Sequence, residues 1–290
     1  MTVTVAGRAL ELGDAVSFGR RRELDVLVPT ADRPAELAVT LAGLAGQDIG
    51  ERMGIVVSDQ STGGEAGWAH PAVAAMVRVL RRNGHTVLLR SHLPRRGLAE
   101  HRAFLLGHSN AEYVLFLDDD VWLEPPAVGT MLAAIRRLGC GFVGNFPHGL
   151  SYLDDHRPAD DELFEAWEGS PAPEEFGPSD PRWRRARVHD AANLMHVTEK
   201  LSLPPGGWTA YKVAWLGACA LYDRAKLQAV GGYDFWREVP PEHAGEDIVA
   251  QRRLIRRYGG AGLVPSRAYH LESPTTVPDR AVECHEVVPL

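Results

Sequence analysis

One feature constrains this chain more than any other: over residues 24–145, short continuous apolar runs alternate with segments whose apolar residues recur at helical spacing. LDVLVP (24–29) is followed, after Pro34, by Leu37, Leu41 and Leu44. GIVVSD (54–59) is followed by Val73, Met76, Val77 and Leu80, and TVLLR (86–90) by a helical stretch over 97–108. YVLFL (113–117) precedes Val128, Met131, Leu132, Ile135 and Leu138. Continuous apolar strands are those buried on both faces, so the pattern predicts an α/β fold with a mostly parallel central sheet and helices on both sides. Such sheets bind ligands beyond the carboxyl ends of their strands. Three of those ends are polar here: Thr30-Ala31-Asp32-Arg33, Asp59-Gln60-Ser61 and Asp118-Asp119-Asp120.

After GFVGN (141–145) the rhythm stops. Residues 146–207 are rich in Pro, Asp, Glu, Trp and His and read as a long insertion or lid, too aromatic for simple disorder. A strand is expected over 213–222, a short helix over 224–230, and a longer helix over 246–259 ended by Gly259. The expected organisation is an N-terminal extension (1–22), a first half (23–145), a second half (146–270) containing the irregular insertion (146–207), and a C-terminal tail (271–290). No internal repeat is visible.

At 290 residues the chain can bury a substantial core. Its formal net charge of -7 argues against a surface that tracks nucleic-acid phosphates, and its arginine runs read as solvated helix faces. Cys140, Cys219 and Cys284 are odd in number, far apart and without CxxC spacing. Neither a disulfide framework nor a structural zinc site is expected, and a reducing cytoplasm fits best. No apolar run approaches a membrane span and no basic leader precedes an apolar core, so a cytoplasmic protein is expected, with peripheral membrane contact left open.

On an extended segment Asp118 and Asp120 would project together and Asp119 away. Paired carboxylates repel unless a cation or proton intervenes, and hard oxygen donors suit Mg²⁺ or Mn²⁺; the plain alternative is a solvated acidic turn. GGYD (231–234) and GED (245–247) place Asp234 and Asp247 near a helix start, where a carboxylate either answers the helix dipole or serves as a base at a cleft rim. His270, in YHLE, is either structural or a ligand. Trp167, Trp183, Trp208 and Trp215 offer either core or sugar-binding faces.

The stretches VPTADRPAEL, VVSDQST, RRGLAEHRAFLLGHSNAEYVLFLDDDV, VGGYDF, GEDIVAQRRL and YHLE, in this order, resemble the family 2 glycosyltransferases of GT-A fold, a Rossmann-like nucleotide-diphospho-sugar transferase architecture. The resemblance runs from about residue 24 to 270. It implies a metal-dependent, non-processive, inverting transfer of a hexosyl or related sugar from a nucleoside-diphosphate donor, UDP- or GDP-type, to an acceptor hydroxyl or amine. The acceptor would be a small molecule, a glycan or a lipid-linked molecule.

By the same resemblance, Pro29, Thr30, Asp32, Arg33, Asp59, Arg102, Asp118 and Asp119 hold the donor nucleotide. Asp120, His270 and Asp118 hold Mn²⁺ or Mg²⁺, Asp247 is the base, and Glu246 beside it contacts the acceptor. Trp208, Trp215 and Asp234 are the acceptor candidates. HRA around Arg102 lacks the Asn that often follows this arginine in relatives. QRRLI after Asp247 lacks the Q-x-x-R-W motif of processive synthases. A nucleotidyltransferase would need a Gly-rich phosphate loop, which VPTADRP is not. The remaining alternative is a sugar-nucleotide-binding module of the same fold without turnover.

Overall fold

The computed structural model describes residues 3–5, 8–10, 22–64, 66–277 and 280–290. In chain order it contains β1 (Val3–Val5), β2 (Arg8–Leu10), β3 (Leu24–Thr30), α1 (Pro34–Ala45), β4 (Gly54–Asp59), α2 (Pro71–Arg82), β5 (Thr86–Ser91), α3 (Leu98–Gly107), β6 (Tyr113–Leu117), β7 (Val121–Leu123), α4 (Ala127–Leu138) and β8 (Phe142–Gly144). There follow β9 (His148–Gly149), α5 (Pro158–Asp161), α6 (Asn193–Glu199), β10 (Thr209–Tyr211), β11 (Cys219–Asp223), α7 (Arg224–Ala229), α8 (Glu246–Tyr258), β12 (Ala261–Val264), β13 (Ala268–His270) and α9 (Cys284–Val287). Apart from β1, β2 and Arg22, the extension expected over 1–22 lies outside the described residues.

The apolar runs become one sheet in the order β10-β12-β8-β11-β6-β3-β4-β5. β3, β4, β5, β6, β8 and β12 run parallel to one another, while β11 is inserted antiparallel between β6 and β8 and β10 is antiparallel to β12. The two faces are filled as strand alternation requires. Val26 and Val28 of β3 pack with Leu37, Leu41, Val73, Val77 and Met131 from α1, α2 and α4. Leu27 between them packs on the other face with Leu105, Val249 and Leu254 from α3 and α8.

One expectation is corrected. The strand expected over 213–222 begins only at Cys219, because Leu216 gives both backbone groups to a side chain. Its N–H donates to Gln251 Oε1 (2.8 Å) and its carbonyl accepts from Gln251 Nε2 (2.6 Å), in place of a ladder. Within the irregular stretch 146–207, α6 and a 3₁₀ turn (Pro181–His189) send Val188, Leu194 and Val197 into the second core.

A small sheet, β7-β13-β9, crosses the carboxyl edge of the large one. Its register pairs His270 with Val121, the residue after the aspartate triplet, and so brings two distant motifs together. Among the described residues no helix is long and apolar enough to cross a membrane.

Candidate active site

β6 ends at Leu117, so the aspartate triplet leaves the strand and turns. Strand alternation therefore does not apply, and the expected pairing of Asp118 with Asp120 is corrected. Asp119 accepts from Thr30 Oγ1 (2.6 Å) and Arg33 Nη1 (3.3 Å), and Asp120 Oδ2 accepts from the same Nη1 (2.8 Å). Asp118 turns the other way and accepts from Arg102 Nη2 (3.1 Å). The turn is fixed by its backbone: Asp118 N donates to Ala218 O (2.9 Å), and Leu271 N to Asp120 O (2.8 Å). Burial pushes the Asp119 carboxyl up to about 7 against the pull of Thr30 and Arg33. Burial also raises Asp120, while His270 opposes the rise.

Two protein donors face each other across a narrow gap, with His270 Nε2 3.6 Å from Asp120 Oδ2. Among the described residues no group of three His, Cys, Asp or Glu side chains converges as a ligand set. A hard divalent ion commonly uses only one or two carboxylates and completes its shell with substrate phosphates and water, so Asp120 suits such an ion. His270 needs a condition. Glu272 N donates to its Nδ1 (2.8 Å), which leaves the proton of a neutral ring on Nε2, facing Asp120. Ligation through Nε2 requires that bond to be released, since a ligating imidazole normally donates from its other nitrogen.

Behind the triplet lies a buried ion cluster. Arg102, on α3, is 2 % exposed and spends its guanidinium on three carboxylates: Glu246 (2.8 Å), Asp118 (3.1 Å) and Asp247 (3.2 Å). Arg102, expected at the nucleotide, directs Nε and Nη2 to protein carboxylates and does not line the cleft described below. Glu246, 4 % exposed, accepts from Arg102 Nε through Oε1 and does not line that cleft either. Asp247 is the more open of the pair, and Tyr233 Oη donates to its Oδ1 (3.2 Å). Burial raises Asp247 to about 7; Arg102 opposes this, while Glu246 and Asp118 reinforce it.

A cleft of about 490 Å³ opens over the carboxyl ends of β3 and β6. Pro29, Thr30, Arg33, Asp118, Asp119, Asp120 and His270 all line it. Asp32 flanks it, paired with Arg95 and accepting from Thr62 N (3.1 Å). Asp59 does not line it; its carboxylate is turned into its own loop, where Ser61 N (2.7 Å), Ser61 Oγ and Gly67 N donate to it. Gln60, Arg95, His101 and Arg280 line the cleft but were not singled out in the sequence. Gln60 Nε2 is buried without a partner, a polar group with spare capacity beside a ligand-sized space. Its position in DQST, next to a polar strand end, was the available signal.

The three acceptor candidates lie elsewhere. Trp208 packs under Arg137, in the last turn of α4, at the edge of the sheet away from the triplet. Trp215 packs against Trp183, ring centroids 4.8 Å apart and planes tilted by 51°, and Asp234 is exposed beside Arg237. None of the three lines the cleft.

A model of glycosyl transferase family 2 matches residues 25–195, from β3 through the triplet into α6. The chain belongs to glycosyl transferase family 2. As a family 2 glycosyltransferase it is 27% identical over 165 residues to the succinoglycan biosynthesis protein ExoM of Rhizobium meliloti, covering 56% of this chain and 43% of that protein.

Its fold is that of solved GT-A enzymes. S. aureus TarS superposes with a TM-score of 0.53 at 17% identity over 87% of this chain and 37% of TarS. A TarS 1–349 structure in complex with UDP-GlcNAc gives 0.52 at 15% identity, covering 88% and 60% of the two chains. The mannosyltransferase PcManGT from Pyrobaculum calidifontis, in complex with GDP-Man and Mn²⁺, gives 0.53 at 16% identity, covering 89% and 59%. The chain thus spans less than two thirds of each of these relatives.

Proposed function

We propose that this family 2 glycosyltransferase moves a sugar from a nucleoside-diphosphate donor to an acceptor hydroxyl or amine, with inversion and with help from a divalent ion. The observation that carries the reading is the tie between cleft and base: Arg102 grips Asp118, at the cleft, and Asp247, at the start of α8, with one guanidinium nitrogen. Donor and proton acceptor are thereby held in fixed relation, which is what in-line attack needs. A UDP- or GDP-type donor is supported by the sugar nucleotides bound in the TarS and PcManGT complexes.

The cleft orders the roles. Thr30, Arg33, Arg95 and Gln60 surround the nucleotide, with the arginines facing its charge. Asp120, with His270 once its Nδ1 is released, would hold Mn²⁺ or Mg²⁺; bound there, such an ion neutralises charge on the departing diphosphate. Asp247, ionised, takes the proton of the attacking group. One base without a covalent nucleophile supports inversion, by the logic that separates inverting from retaining glycosidases. Residues 23–145 then form the donor half and 146–270 the acceptor half.

Thermal unfolding with UDP, GDP, ADP and CDP, each with and without Mn²⁺, tests the reading. One nucleotide is expected to stabilise the protein, more so with the metal, by about 2.7 kcal/mol at a hundredfold excess over its Kd. No stabilisation by any of them would sink it.

A further inference from the structure

A second cavity, of about 240 Å³, meets the donor cleft at His270, which lines both. One wall is rigid. The Phe146 and His189 rings stack in parallel, centroids 4.3 Å apart and planes 8° from one another, and His189 Nε2 is bonded to Tyr211 Oη (2.8 Å). Tyr152 lines the cavity too, 52% exposed, between Leu150 and Leu153. Among the described residues, three of the eight exposed large apolar side chains stand in this one turn, a local concentration that marks a contact surface.

The polar side of the cavity is equally definite. Glu272 and Arg157 both line it. Arg157 is already neutralised, by Asp155 at 2.6 Å and Asp190 at 3.6 Å. Among the described residues Glu272 accepts from Ser151, at its N–H (3.4 Å) and its hydroxyl. Among the described residues of the lining, the one guanidinium is therefore already paired. Two non-glycine residues of the lining, Ala191 (φ 51°) and Glu272 (φ 56°), adopt left-handed backbone, a conformation that costs free energy and gathers at functional sites. Glu272 also bonds His270 through its backbone, joining the cavity to the cleft.

Aromatic faces beside a carboxylate whose oxygens, each bonded once to Ser151, keep further accepting capacity suit a ring that is apolar on its C–H face and hydroxylated at its edge. We propose that this cavity binds a neutral pyranose ring of the acceptor, stacked on Tyr152 with hydroxyls on Glu272. The proposal rests on the glycosyltransferase reading above and replaces Trp208, Trp215 and Asp234 as the acceptor contacts.

The test is saturation-transfer NMR on the protein saturated with UDP or GDP, whichever stabilises it, using the methyl glycosides of glucose, galactose and mannose as probes. At least one glycoside should receive saturation at its ring protons. Tyr152→Ala should weaken its binding by about fivefold, and Tyr152→Phe, which keeps the ring, should not. Glu272→Gln should weaken it as well, and nucleotide stabilisation should be the same in all variants. Undiminished saturation in Tyr152→Ala, or none from any glycoside with nucleotide bound, overturns the proposal. If the wild-type protein is stabilised by no nucleotide, the donor reading itself fails and the proposal with it.

Discussion

Asp247 is the residue on which turnover should depend most steeply. Its carboxyl is raised to about 7 by burial, although Arg102 at 3.2 Å favours the charged form. An acid works as a base only when ionised, and a raised value moves that requirement up the pH scale. Below about 7 the ionised fraction, and with it the rate of transfer, is expected to fall tenfold per pH unit; above it the rate should level off. Asp247→Asn should lower turnover by roughly 10²–10⁴-fold while leaving nucleotide stabilisation unchanged. Rates measured across the neutral range in both proteins check this, and full activity in the variant would remove Asp247 from the mechanism. Glu246 stands one residue away but is spent on Arg102, so Glu246→Gln should act chiefly on stability.

At the scale of elements, Arg102 fastens α3 to the end of β6 and to the start of α8. Removing one partner of a buried ion cluster leaves the others uncompensated, so Arg102→Met is expected to cost about 3–5 kcal/mol in denaturant unfolding. Arg102→Lys should recover only part of it, since an ammonium cannot reproduce the guanidinium fork. An undiminished midpoint in Arg102→Met would show that the cluster is not what joins these elements.

This cluster also shows where the sequence stops being legible. The strands and helices of 24–145 were readable because their periods are local: β4 and β6 begin and end at the expected residues. Arg102 was not, because two of its partners lie 144 and 145 residues away and nothing nearby signals burial. The residues before β11 look like strand because they are apolar, and what keeps them irregular is distant or conformational: Gln251 on α8 bonds Leu216, Arg252 bonds Ala214 O, and Ala218 is left-handed (φ 66°). The triplet was found as chemistry but not as geometry, since a turn after Leu117 is invisible in a run of three identical side chains.

Across the whole molecule, the chain beyond His270 returns over the donor cleft, which Ser273, Thr275, Val277 and Arg280 help to line. It is fastened at both ends. At the near end Arg33 donates to Pro274 O, and Ser273 Oγ to Glu36 Oε1 (3.0 Å). At the far end Ala244 N donates to Val282 O (3.0 Å) and Cys284 N to Ala244 O (2.9 Å), while Cys284 and Val288 are buried in the second core. The described part of this segment, tied to Arg33 and Glu36 at its near end, is anchored at its far end by backbone bonds to Ala244 and by two small apolar side chains, Cys284 and Val288. Cys284 lies among apolar side chains with the carboxylates of Glu246 and Glu283 close by, so a further carboxylate there meets burial and like charge, and Cys284→Asp is expected to free the segment at a cost of about 1–3 kcal/mol. Backbone hydrogen exchange should then quicken over the last residues and not over β3 or β6. If the segment completes the donor site, nucleotide affinity must fall with it; unchanged affinity in a variant whose tail exchanges freely would assign donor binding to the sheet edge alone.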